Sequence, residues 1–103
     1  MDKPFEIKTK SKADKLTLKF SGSLVINSIE EITKEVKEKM DTGRSIHVNI
    51  ANPENIDLTF IQLVMSIRKT CIKKNIEFTV SAKIKEDLKL LLTNAGFSNI
   101  ISN

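Results

Sequence analysis

The sequence predicts a single α/β domain: a four- to five-stranded, mostly parallel sheet with an antiparallel N-terminal hairpin and helices mainly on one face. Three observations predict it. Apolar segments of period 2 alternate with segments of period 3.6 along the chain. The helical segments fall between strands, the arrangement that parallel crossovers require. Two short apolar segments, Leu16 to Phe20 and Leu24 to Ile26, are separated only by Ser21-Gly22-Ser23, a spacing that suits a hairpin.

Phe5 to Ile7 reads as a short edge strand, and the polar stretch from Lys8 to Lys15 as a turn. Residues 1–14 therefore contribute an edge strand and a flexible turn to one domain spanning 1–103. Leu16, Leu18 and Phe20 alternate with Thr17 and Lys19, the period of a half-buried strand. Ser28 opens a helix, with Glu31 at the capping-box spacing. Ile29, Ile32, Val36 and Met40 form its apolar stripe, and Glu30, Lys34, Lys37 and Glu38 face water. Asp41-Thr42-Gly43 ends it, with Gly43 suited to a left-handed cap. Ile46, Val48 and Ile50 alternate with His47 and Asn49 in the next strand. After the loop Asn52 to Asn55, a second helix runs from about Asp57 to Lys74. Ile76, Phe78 and Val80 mark a further strand. A third helix covers about Lys83 to Asn94, burying Ile84, Leu88, Leu91 and Ala95, with Gly96 and Phe97 as its stop. Ile100 and Ile101 add a last short strand.

The chain has 103 residues, 40% hydrophobic and 29% charged, ordinary values for a globular domain. Burial of roughly 65% of the unfolded surface suffices at this length without a disulfide or metal staple. One cysteine, Cys71, excludes an internal disulfide and fits a reducing cytosol. The charged start MDKPFEIKTK has no apolar signal-peptide core. The nearly uncharged stretch Leu58 to Ile67 is too short to span a bilayer. The expectation is a cytoplasmic protein that inserts into no membrane. The formal net charge is +4, but the lysines are spread along the chain and mixed with acids. Tyr and Trp are absent and Arg occurs only as Arg44 and Arg68. A nucleic-acid surface clusters basic side chains with aromatic platforms, so none is expected.

The residues that enzymes need are missing. The lone histidine, His47, sits mid-strand on the polar phase and reads as a satisfied surface side chain, since a general base needs a placed partner. Cys71 falls on the apolar side of the second helix as a small core residue. One Cys and one His make no structural zinc site. Glycine occurs only at 22, 43 and 96, which excludes a Gly-rich phosphate loop. Glu86-Asp87 diverge by about 100° on a helix and read as a solvated face. No cofactor, metal or catalytic residue is expected.

The informative stretch is Ile56 to Leu63, where strand passes into helix. Asp57 is a good N-cap. Leu58, Ile61, Val64, Met65, Cys71 and Ile72 share an apolar arc, widened by Phe60, Leu63 and Ile67. Thr59 lies on the polar stripe with Gln62, Ser66, Thr70 and Lys73, and is expected to be exposed in the first helical turn. A phosphate there meets the positive helix end and its free N–H groups.

These marks in order resemble the STAS domain, the sulphate-transporter and anti-sigma-factor-antagonist family, over roughly Leu16 to Ile101. Phe20-Ser21-Gly22-Ser23-Leu24 stands where the family carries a Gly-x-Leu strand turn. Ser28 opens the first helix, Gly43-Arg44 precedes the Ile46 strand, and Ile56-Asp57 leads into the second helix. Leu91 to Phe97 is similar to the family's closing Leu-x-x-x-Gly-hydrophobic helix. Bacterial anti-sigma factor antagonists of this family carry Asp-Ser-Ser-Gly or Asp-Ser-Ala-Gly at the strand-to-helix junction. A partner kinase phosphorylates the serine two residues after the Asp. Asp57 matches that Asp and Thr59 stands in the serine's place, while Leu58 replaces a small polar residue and Phe60 the glycine. The resemblance implies a non-enzymatic signal-transduction domain that binds a protein: a kinase or anti-sigma-like partner, or a chemotaxis-type regulator. Asp57, Leu58, Thr59, Phe60 and Gln62 would form the contact, with Thr59 as the phosphorylated switch. The alternative it implies is a constitutive STAS-like subunit of a lipid-exporting ABC transporter, using the same helix surface with no covalent switch.

Overall fold

The protein's structure is a computed structural model that describes residues 4–40, 44–87 and 90. β1 (Phe5–Lys12) and β2 (Lys15–Leu24) pair antiparallel around a turn at Ala13-Asp14, from Phe5 opposite Gly22 to Lys12 opposite Lys15. The N-terminal hairpin is present, but its strands differ from those expected. Lys8 to Lys12 is strand rather than turn, and Ser21-Gly22-Ser23 does not break β2, which runs through to Leu24. Val25 and Ile26 are a bend and turn, not a second strand. Gly22 explains the continuity. Its φ of +87° suits glycine, and a Cβ there would lie 2.5 Å from Pro4 O and 2.9 Å from Phe5 Cα. That close approach lets Pro4 O accept from Ser23 N at 2.8 Å.

α1 (Ile29–Lys39) buries Ile32 and Val36 and leaves Glu30, Lys34, Lys37 and Glu38 exposed, as its periodicity requires. The capping box does not form. Ser28 takes a helix-like φ of −111° and ψ of −6° and its side chain makes no cap bond. Backbone turns lead into the helix instead, with Ser28 N donating to Val25 O at 2.9 Å. The helix stops at Lys39 with Met40 extended as its cap, short of Gly43. Gly43 itself lies outside the described residues.

β3 (Ser45–Ala51) is central. It pairs parallel with β2 on one side and with β5 (Phe78–Lys83) on the other, giving the order β1-β2-β3-β5. A fifth, two-residue strand that the sequence did not announce, β4 (Asn55–Ile56), pairs parallel with Ser23 and Leu24 of β2. Ile76 precedes β5 rather than opening it. α2 (Leu58–Lys73) buries Phe60, Ile61, Val64, Ile67 and Cys71. Ile72 was expected on that buried arc but is 61% exposed. The apolar arc of α2 is wider than the sheet can cover, so one edge stays in water. The helix ends in a Schellman arrangement: Asn75 at φ 58° donates to Ile72 O, and Ile76 N donates to Cys71 O at 2.8 Å.

Leu18 and Phe20 of β2 and Val48 and Ile50 of β3 share one core with the buried residues of α1 and α2. Both described helices therefore cover the same face of the sheet. The opposite phase, with Thr17, Lys19, His47, Asn49, Thr79 and Ser81, forms a polar face. Lys83, expected to open a third helix, ends β5, and Glu86-Asp87 is exposed. Most of the expected third helix, its Gly96-Phe97 stop and the strand at 100–101 lie outside the described residues.

Candidate functional site

The junction from β4 into α2 is built by β2. Glu54 N donates to Gly22 O at 2.9 Å and Asp57 N to Leu24 O at 3.1 Å, so the end of β2 fixes where α2 begins. Asp57 then caps the helix as its sequence position predicts. Its Oδ1 accepts from Thr59 N at 3.0 Å and also from the Thr59 hydroxyl. Its Oδ2 accepts from Ile26 N at 2.9 Å, thirty-one residues back in the chain. One carboxylate thus ties the first turn of α2 to the turn after β2. Partial burial pushes the Asp57 carboxyl up. Hydrogen bonds from the Thr59 hydroxyl and from the Ile26, Thr59 and Phe60 N–H groups outweigh that, so it sits below its ordinary value.

The other residues of the expected contact divide. Thr59 is half-buried rather than exposed, and its hydroxyl turns to Asp57. Leu58 is 42% exposed, and Gln62 faces water on the same helix. Phe60 does not join the surface. It is fully buried, its ring edge-on to Phe20 with centroids 5.1 Å apart and planes at 70°. The ring packing explains the burial: Leu58 and Phe60 lie about 200° apart on the helix, so only one can face the sheet. Ile26, 63% exposed and bonded to Asp57, was read as strand and belongs to this site. Nothing local marks it, because its partner is remote in sequence.

The remaining candidate groups lie elsewhere. On the polar sheet face, His47 Nδ1 sits 2.6 Å from Thr79 Oγ1 and Nε2 3.1 Å from Ser81 Oγ. Ser81 Oγ in turn donates to Asn49 Oδ1 at 3.4 Å, which matches a neutral ring donating from Nε2. Burial, with Lys15 nearby, pushes the His47 pKa down. Cys71 is buried on the helix side, where burial pushes its thiol up. The two are on opposite faces of the sheet and form no nucleophile–base pair. Among the described residues no three His, Cys, Asp or Glu side chains cluster to hold a metal. No described helix is long and apolar enough to cross a membrane. A cleft of about 620 Å³ opens where β1 meets the end of β2, lined in part by Pro4, Gly22, Glu35 and Glu54. Neither Asp57 nor Thr59 lines it.

The family model of the STAS domain matches residues 5–103. Among solved structures, an antisigma-factor antagonist STAS domain from Rhodobacter sphaeroides is similar, with a TM-score of 0.57 and 13% identity. The likeness covers 74% of this chain and 84% of that one, and at this identity it concerns the fold. No curated protein matches the chain.

Proposed function

The chain belongs to the STAS domain family, and on that premise we propose that it is a non-enzymatic regulatory domain that binds another protein through the start of α2, with Thr59 as the switch. The Asp57 carboxylate carries this reading. It holds the Thr59 hydroxyl, the α2 N-terminus and the Ile26 N–H in one cluster. A kinase partner would transfer the γ-phosphoryl of ATP to Thr59 Oγ1, releasing ADP and the hydroxyl proton. The phosphate would bring roughly two negative charges against the Asp57 carboxylate and compete for the N–H groups it caps. Asp57 would be driven off and Ile26 released, so one covalent change would alter both sides of the contact. Leu58 and Gln62 complete the contact, with Phe60 supporting it from the core.

A second reading, the constitutive transporter subunit, is favoured by one observation: the exposed apolar side chains of Ile26 and Leu58 flank Asp57 and would serve a permanent contact. Affinity purification of the intact chain from its native cell, followed by identification of what is retained, separates the two. A regulatory kinase supports the switch; a transporter ATPase, insensitive to Thr59→Glu and lost with Leu58→Ser, supports the subunit.

A further inference from the structure

The face of the sheet opposite the two described helices is a lysine field. Strand pairing brings Lys8, Lys10 and Lys12 of β1, Lys15 and Lys19 of β2 and Lys83 of β5 onto one phase, all of them exposed. The acids in that phase are Glu6 and, just before β5, Glu77. Among the described residues of this face, six lysines against two acids leave an excess of four positive charges.

Two features mark the face further. Lys8 lies directly opposite Lys19, and Lys12 opposite Lys15. Like charges in directly opposed cross-strand positions destabilise a sheet, so this arrangement opposes folding instead of aiding it. Between the lysines stand Thr17, His47, Asn49, Thr79 and Ser81, and the one ring among them, His47, is held by Thr79 and Ser81; Phe5, Phe20 and Phe78 all point the other way. The molecule is also flat, with extents of 36 × 35 × 19 Å.

We propose that this face docks the protein on an anionic lipid bilayer by electrostatic contact without insertion. The charge is complementary, and a flat array of lysine point charges suits a plane of headgroup phosphates. A single-stranded nucleic acid would need several aromatic platforms, and among the described residues this face offers one ring, His47, already bonded to Thr79 and Ser81. A bilayer-inserting surface would need large apolar side chains, and among the described residues this phase presents none. Each lysine near an anionic leaflet contributes on the order of a fivefold gain in partitioning, and the attraction is screened beyond about 10 Å at 0.1 M salt. The helix side, with Thr59, stays free for a protein partner.

Co-sedimentation of the intact chain with phosphatidylcholine vesicles, with and without phosphatidylglycerol, tests the proposal. Binding is expected only to the anionic vesicles and is expected to be lost in about 0.5 M KCl. The combined Lys8→Gln, Lys10→Gln and Lys19→Gln variant removes like-charge repulsion and should stay folded by circular dichroism. It should bind roughly 100-fold more weakly. The pair Lys12→Gln and Lys15→Gln should show a smaller loss, and Lys34→Gln with Lys37→Gln on α1 should show none. Equal binding to neutral vesicles, undiminished binding by the triple variant, or tighter binding of an oligonucleotide at matched phosphate would each overturn it.

Discussion

Replacing Asp57 with alanine removes three contacts of one carboxylate. The helix cap to Thr59 N contributes about 1 kcal/mol. The bond from Ile26 N, at 2.9 Å on an exposed residue where water can replace it, contributes about another 1 kcal/mol or less. A loss of about 2 kcal/mol should lower the melting temperature by about 10 °C in a domain of this length. Asp57→Asn keeps an acceptor for Thr59 but loses one oxygen, and should fall about midway. Urea titration reads both. The pH dependence separates this cluster from a general packing defect. The folded Asp57 carboxyl lies below its ordinary value of 3.8. Its contribution is therefore fully present above pH 3.8 and is lost as pH falls through the folded value. The stability gap between wild type and Asp57→Ala should narrow as the solution is acidified below that point. A neutral-pH gap under about 0.5 kcal/mol, or one that persists unchanged at about pH 3, would refute the reasoning.

Gly22→Ala should cost more than about 2 kcal/mol, because the Cβ has no room against Pro4 and φ is unfavourable as well; a chemical-denaturation midpoint checks it. At Asn75, φ 58° favours residues that tolerate the left-handed region. Asn75→Ala should cost about 1 kcal/mol while Asn75→Gly stays within a few tenths, and a thermal melt of both distinguishes them.

The sequence revealed those elements whose burial is one-sided and local. Ile46, Val48 and Ile50 alternate cleanly because β3 lies at the centre of the sheet with one face in the core. Asp57 was legible as a cap because capping acts within three residues. What escaped depends on distant partners. β1 is mostly polar, with Phe5 its one buried residue, and its extended form rests on pairing with β2. Gly22 looked like a break, although a glycine inside a strand also signals a close backbone approach, and that reading would have kept β2 whole. The lysines looked scattered along the chain; only the antiparallel register gathers them on one face. Phe60 was placed on the contact surface because it stands in the place of the family motif's glycine, whereas its burial rests on Phe20, a ring remote in sequence. The link from Asp57 to Ile26 spans thirty-one residues and leaves no local pattern.

The most direct test of the central claim is the affinity of the purified partner for three forms of the chain, measured by titration calorimetry. Thr59→Ala should bind within about threefold of wild type, since the uncharged contact is preserved. Thr59→Glu, which sets a second carboxylate beside Asp57, should bind at least about tenfold more weakly, equivalent to about 1.4 kcal/mol. Equal affinity of the Ala and Glu variants would contradict the switch and leave Thr59 as a structural neighbour of the helix cap.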